Sequence, residues 1–146
     1  MKFFKKRIID DGQSDRPLMT RWIIFRFESF GMYIHKFHRS DHDRSLHDHP
    51  WPYVTIILKG GYSEVYFVRD REVVRRNYPG QILFRPATWR HRVVLEKDKT
   101  SWSLVLVGPR CRRWGFWPNN TWCWWRKYNY LKAICDEEVL WEGGED

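Results

Sequence analysis

Residues 46–64 read LHDHPWPYVTIILKGGYSE, and they combine a His-x-His motif with a clear strand pattern. A run of β-branched and aromatic residues covers 53–59, two glycines follow at 60 and 61, and a similar run occupies 62–69. Such runs joined by two glycines are typical of antiparallel strands connected by a tight turn. The stretch therefore predicts a β-hairpin that follows two histidines, His47 and His49.

Short runs of the same kind recur before and after this hairpin. The sequence predicts eight strands, near residues 21–27, 32–38, 53–59, 62–69, 72–77, 81–85, 91–96 and 101–107. One segment, 127–140, has apolar residues at helical spacing. Strands and helices do not alternate, so we expect an all-β sandwich or barrel with a short C-terminal helix, in one domain covering 1–146.

The chain of 146 residues is basic, with 26 Lys and Arg against 18 Asp and Glu and a formal net charge of +8. Six of the acids lie in a tail at 136–146, so the remainder is more basic still. Such a surface attracts phosphates, nucleotides, nucleic acid or acidic metabolites. A solvated basic face without a ligand explains the excess of basic residues equally well. Three cysteines without a CxxC pair favour a reducing compartment. No apolar run resembles a signal peptide or a membrane span, so we expect a cytoplasmic protein without a membrane partner.

Three histidines indicate a metal site. His47 and His49 share one face of an extended strand, so their imidazoles project side by side. A third imidazole comes from His91, which ends the segment 80–91, GQILFRPATWRH, after a Pro-Gly turn and a short strand. Together they supply the nitrogen ligands that a divalent transition metal takes in proteins.

Other polar residues near these motifs are open to several interpretations. His42, Asp43 and Glu64 are alternatives for a fourth ligand. His35 and His38 have opposite strand parity, so they cannot both face one site without a bulge. We expect ordinary hydrogen-bonded or surface roles for these two histidines.

Taken together, the motifs resemble the two sequence motifs of the cupin superfamily. The residues that match are His47, His49 and Gly61 in the first motif, and Gly80, Pro86 and His91 in the second. The position of the usual glutamate ligand falls at Val54 or Thr55, and Thr88 replaces the second glycine of the second motif. The resemblance implies an RmlC-like jelly-roll barrel over about residues 20–117, a Trp-rich segment and helix at 114–140, and a neutral three-histidine metal site.

A narrower similarity rests on LHDHPW at 46–51, GGYSE at 60–64 and GPRCRRWGF at 108–116. These motifs are similar to those of small uncharacterised cupins that bacteriophages often encode. The similarity implies a phage protein in the host cytoplasm and supplies no established reaction. It leaves the oligomeric state open, with a homodimer as one option.

A site of three neutral histidines leaves more positive charge on a divalent ion than a site that includes glutamate, which favours an anionic substrate. We therefore expect a mononuclear metal enzyme acting on a small anionic molecule, with a non-haem dioxygenase first and an isomerase or hydrolase next. Fe(II) is the first choice of metal, and Zn, Mn and Ni also suit imidazole. One alternative is a non-catalytic cupin that binds a nucleotide or, less favoured, nucleic acid through its basic, Trp-rich segment 114–125. Another is a dimer in which the metal only stabilises the barrel.

Several side chains near the motifs are candidates for catalysis or substrate contact. Glu64 is a general acid or base if it faces inward, and an ordinary partner for arginine if it faces outward. Arg110 follows a strand-end turn, from which its side chain can reach the mouth of a barrel and bind an anion. The candidate substrate-binding residues are Trp51, Tyr53, Arg85 and Trp89. A basic outer face is the alternative for the arginines, and simple barrel packing is the alternative for the rings.

Overall fold

The computed structural model describes residues 1–10, 14–41 and 45–132, which form eleven strands and the beginning of a helix. The strands are β1 (Lys2–Ile9), β2 (Met19–Arg26), β3 (Gly31–Phe37), β4 (Tyr53–Lys59), β5 (Tyr62–Val68), β6 (Arg71–Asn77), β7 (Ile82–Arg85), β8 (Arg92–Val94), β9 (Ser101–Val107), β10 (Gly115–Phe116) and β11 (Cys123–Trp124). A 3₁₀ turn at Pro118–Asn120 separates the last two strands. The helix α1 begins at 125 and is described as far as 132.

The strands form two main antiparallel sheets. Six strands follow the order β1-β2-β3-β9-β4-β7, and three follow the order β6-β5-β8. One cluster of buried side chains joins the sheets, because Ile57 and Leu83 of the large sheet pack with Tyr62 and Val93 of the small one. Strands that are distant in sequence are neighbours in the sheet, as a jelly roll requires. The predicted all-β class is confirmed.

Period-two alternation decides which side chains face the space between the sheets. In β9 the residues at 101, 103, 105 and 107 are buried, and those between them are only partly buried. In β4, residues 53, 55 and 57 are buried in the same way. A second core cluster is formed by Ile23, Tyr33, Tyr53, Val105 and Val107. From these inward rows, the residues at 33, 53, 55, 103, 105 and 107 line a cavity between the sheets.

The sequence does not predict β1, because KFFKKRII has no alternation of apolar and polar residues. This strand is the edge of the six-stranded sheet, where its backbone pairs with β2 from Lys2↔Arg26 to Ile9↔Met19. Its side chains are almost all exposed, so backbone pairing rather than burial accounts for the strand. The sheet therefore extends further toward the N-terminus than the predicted limit near residue 20.

The C-terminal helix begins at 125, two residues before its predicted start at 127. The remainder of the predicted helix, 133–140, and the acidic tail at 136–146 lie outside the described residues. Within the described part of the chain, no helix is long and apolar enough to cross a membrane.

Candidate metal centre

The two histidine motifs are held together by their own backbones. The His47 N–H donates to the His91 carbonyl at 2.9 Å, and the His91 N–H donates to the His47 carbonyl at 3.0 Å. Two residues further on, the His49 N–H donates to the Ala87 carbonyl at 3.1 Å and continues the pairing. The backbone therefore fixes the positions of the three histidines relative to one another.

The three imidazole rings converge. One ring nitrogen from each histidine lies within 4.8 Å of the other two. The ring centroids are 5.0 Å apart for His47 and His91, and 5.1 Å apart for both pairs that include His49. Three imidazoles form a neutral donor set that suits iron, zinc, copper or nickel. These three histidines could therefore bind one metal ion.

Two of the rings are anchored through the nitrogen that a metal would not need. The Nδ1–H of His91 donates to Glu64 Oε1 at 2.9 Å, and the Nδ1–H of His49 donates to the Trp89 carbonyl at 3.3 Å. Such partners fix the tautomer and the ring orientation and leave Nε2 as the ligand atom. The arrangement therefore fits what a metal requires of its histidines.

Burial and neighbouring charges set the protonation states around the histidines. Burial lowers the pKa of His49 well below its ordinary value, with His91 adding to the effect, so the His49 ring is neutral at pH 7. Burial by itself raises the pKa of Glu64, but the hydrogen bonds and charges of His91 and Arg85 outweigh it and lower that pKa to about 2. Arg85 Nη2 donates to Glu64 Oε2 at 2.6 Å. Glu64 is therefore an ionised carboxylate that holds the His91 ring through its Nδ1, outside the cavity wall.

The histidines line a cavity of about 360 Å³. The polar side chains of its wall include Arg21, Tyr33, His35, Tyr53, Thr55 and Ser103. Ligand pockets in proteins span roughly 300–1,000 Å³, so this cavity suits a small molecule. The Tyr53 hydroxyl lies 3.4 Å from His91 Nε2, and the Tyr53 ring centroid is 4.5 Å from that of His49. The phenol therefore lies beside the point where the three rings converge.

The four predicted substrate-binding residues separate into two pairs. Trp51 and Tyr53 line the cavity. Arg85 and Trp89 are not part of its wall. Instead, the Arg85 guanidinium stacks 4.4 Å from the Trp89 ring, and that ring also packs against Tyr66. The arginine and the indole thus contact each other and lie outside the cavity.

The two predicted catalytic residues are not part of the cavity wall. Glu64 faces inward and is buried, but it lies behind His91. Arg110 is exposed and lines a separate outer groove. His42 and Asp43, two of the alternatives for a fourth ligand, lie outside the described residues.

Two buried aspartates at the site are absent from the sequence-based set. Asp41 Oδ2 lies 3.5 Å from His47 Nδ1, where it supports the third ring. The second aspartate is Asp48, the middle residue of the His-x-His motif. Its Oδ1 accepts the Gly115 N–H at 2.8 Å, and its Oδ2 accepts bonds from Trp117 Nε1 at 3.1 Å and Arg112 Nη1 at 2.7 Å. For Asp48 the sequence does carry a signal: in an extended strand, the side chain between His47 and His49 points away from the two imidazoles.

The two histidines for which ordinary roles were expected differ in position. His38 Nε2 lies 2.7 Å from the Thr20 hydroxyl and is absent from the cavity wall. His35 lines the cavity and accepts a hydrogen bond from Arg21 at 3.0 Å. The local sequence around either residue does not indicate this polar pair inside the barrel.

No protein-family model matches this sequence, and no curated protein does. Solved structures match its fold. A cupin-2 domain from Rhodospirillum rubrum has a TM-score of 0.58 and 15% identity, over 89% of this chain and 82% of that one. The Fe(II) form of HppE has a TM-score of 0.58 and 9% identity, over 70% of this chain and 56% of that one. The DMSP lyase DddQ from Ruegeria pomeroyi has a TM-score of 0.55 and 19% identity, over 72% and 56%.

The fold and the site define a cupin-type jelly roll with a three-histidine cluster that could bind a metal. The chain spans little more than half the length of HppE and of DddQ. Identities below 20% carry the fold alone, so the reaction has to be argued from the site itself.

Proposed function

We propose that this protein is a mononuclear metal enzyme that acts on a small anionic molecule, with oxygen-dependent oxidation as its reaction class and Fe(II) as its metal. The observation that carries the proposal is the convergence of His47, His49 and His91 at the wall of a ligand-sized cavity. The fold similarity to the Fe(II) form of HppE supports iron. Zn, Mn or Ni on the same ligands would favour isomerisation or hydrolysis instead.

In this proposal His47, His49 and His91 hold the metal through Nε2. Iron, when bound, supplies a redox-active Lewis acid at which dioxygen and an organic substrate can react. Glu64 is a positioning residue: it keeps the His91 proton on Nδ1 and is itself held by Arg85. In this assignment Glu64 lies behind the His91 ring, outside the cavity wall, and leaves the cavity side of that ring to the substrate.

Tyr53 is the side chain best placed to donate a proton at this centre. Burial raises the pKa of Tyr53 well above its ordinary value, so the phenol keeps its proton at neutral pH. Its hydroxyl, 3.4 Å from His91 Nε2, can donate a hydrogen bond to an anionic group bound beside the histidines. Trp51 also lines the cavity and packs against the buried cluster that contains Tyr53.

A second candidate function is the binding of a nucleotide or nucleic acid at the Trp-rich segment. Guanidinium groups lie over indole rings there, with Arg113 at 5.2 Å from Trp124 and Arg126 at 5.2 Å from Trp125. Stacked arginine and tryptophan surfaces bind bases and phosphates, and such binding weakens steeply with salt. Nucleic-acid binding that falls with salt and persists without metal would support this function.

The test is elemental analysis of protein purified without chelator or a metal-binding tag, alongside the variant His47→Ala/His49→Ala. His38→Ala is the matched control, because it removes a histidine that does not line the cavity. One equivalent of iron in the wild type and the control, lost in the double variant, is expected. Zinc or manganese in that pattern would shift the reaction class to hydrolysis or isomerisation. Absence of metal from all three proteins would contradict the enzyme proposal.

A further inference from the structure

Arg21, on β2, lines the cavity without a carboxylate partner in the described part of the chain. Its Nε–H donates to His35 Nε2 at 3.0 Å, and its guanidinium carbon lies 5.3 Å from the Tyr33 ring centroid. No described residue accepts a hydrogen bond from its Nη atoms. Three acids also line the cavity, and each is engaged elsewhere: Asp10 with Arg39 at 4.0 Å, Asp41 with His47 at 3.5 Å, and Asp48 with Arg112 at 2.7 Å.

The sheet register creates a polar row at Arg21. Arg21 pairs with His35 across β2 and β3, and His35 pairs with Ser103 across β3 and β9. Because His35 Nε2 accepts the bond from Arg21, the His35 proton is on Nδ1, where it adds another donor. Burial, followed by the charge of Arg21, lowers the pKa of His35 well below its ordinary value and keeps the ring neutral. The row therefore carries a single positive charge, on Arg21.

We propose that Arg21 and His35 bind the carboxylate of a small monoanionic substrate whose other end lies at the three-histidine cluster. The Nη edge of a guanidinium matches a carboxylate in a two-point hydrogen bond. A partly buried cation without a counter-ion is unfavourable, and a bound carboxylate removes that cost. A phosphate dianion would introduce a second negative charge beside a mostly apolar wall, so one arginine favours a carboxylate.

The outer groove adjoins the cavity, because Arg21, Tyr33 and Trp51 line both. Besides Arg21, the basic residues that line the groove are Lys2, Arg7, Arg26 and Arg110, against one acid, Glu28. Converging positive charge raises the local concentration of anions and their rate of association. Arg110, the arginine that the sequence favours as the anion-binding residue, lines the outer groove, whereas Arg21 also lines the cavity.

The inference rests on the proposed function for the substrate's other end, but its test does not need the metal. The probes are 4,4,4-trifluorobutanoate and its amide, which share a shape and differ in charge. Their binding to metal-free and to iron-loaded protein is measured by ¹⁹F NMR. We expect the carboxylate to bind about tenfold more tightly than the amide in both forms. Arg21→Gln should lose that preference, and Arg110→Gln should change affinity less than about twofold, since rim charges act mainly on association rates.

Each contrary result overturns the inference. A wild-type protein that binds the two probes equally, or neither of them, contradicts it without any variant, so a misfolded Arg21→Gln protein leaves the test intact. Loss of binding in Arg110→Gln but not in Arg21→Gln would place the carboxylate in the outer groove. Binding that requires iron and ignores Arg21→Gln would place it at the histidines. Failure of the proposed function is distinguishable, because it appears as absent metal and leaves the metal-free result unchanged.

Discussion

Replacement of Glu64 by glutamine tests how the site is built, because it removes one charge and keeps the shape. Both oxygens of this buried carboxylate accept hydrogen bonds, Oε1 from His91 at 2.9 Å and Oε2 from Arg85 at 2.6 Å. In Glu64→Gln the amide NH₂ must face one of these donors, and Arg85 loses its counter-ion. We therefore expect a destabilised protein whose loss depends on pH.

The pKa of Glu64 gives the size and sign of the effect in metal-free protein. The difference between the ordinary pKa of 4.5 and the folded value of about 2 corresponds to about 3 kcal/mol of stability at pH 7. Because the folded pKa is the lower one, this stability is present above pH 4.5 and is lost as the pH falls toward 2. At pH 3 about 1 kcal/mol remains. Glutamine does not titrate, so wild type and variant should converge in acid.

Urea unfolding of the metal-free proteins at pH 7, 5 and 3 measures this difference directly. Glu72→Gln is the matched control, since Glu72 is half exposed and lies 3.9 Å from Arg92. It should cost less than about 0.5 kcal/mol at every pH. A Glu64→Gln loss below about 1 kcal/mol at pH 7, or a loss that stays constant between pH 7 and pH 3, would refute the assignment of Glu64 as an ionised, doubly bonded carboxylate.

Three further variants test other parts of the site. Asp48→Asn should lower the free energy of unfolding by about 2–4 kcal/mol, because three donors share that carboxylate. The control Asp98→Asn, on the surface, should lower it hardly at all. Equal losses in urea unfolding would contradict this prediction. His91→Ala should abolish stoichiometric metal binding in elemental analysis, and full occupancy would remove His91 from the site. His35→Gln should gain stability relative to wild type as the pH falls below about 6.5, because buried neutral His35 resists protonation; parallel pH profiles would refute that.

Strand positions were predictable because burial on one face leaves a period-two signal. In β9, SWSLVLV alternates between inward and outward positions, and its predicted limits, 101–107, match the structure. The same parity placed His47 and His49 on one face. The edge strand β1 was not predictable in this way, because its exposed side chains leave the sequence unconstrained and its partner β2 is not encoded locally.

The support of the histidines was not predictable because it depends on pairings across the fold. Parity could not say whether Glu64 faces inward, since that depends on which sheet packs over β5. Its partners are His91, which directly precedes β8, and Arg85, which is the last residue of β7. Arg21 and His35 were missed for the same reason: nothing in either local sequence shows that β2 and β3 bring them together inside the barrel.

The missing acidic ligand of the sequence motif acquires a physical meaning in the structure. The carboxylates are present, but Glu64 and Asp41 lie behind His91 and His47 rather than beside a metal. Glu64 orients the His91 ring from outside the cavity wall, and Asp41, which does line the cavity, is engaged with the His47 ring, so the donor set of three imidazoles remains neutral. In the proposed function, an anionic substrate would therefore meet a metal whose charge its ligands do not cancel, and Arg21 at another part of the wall. A chain built in this way should prefer a carboxylate to a neutral amide of the same shape, which is what the paired probes measure.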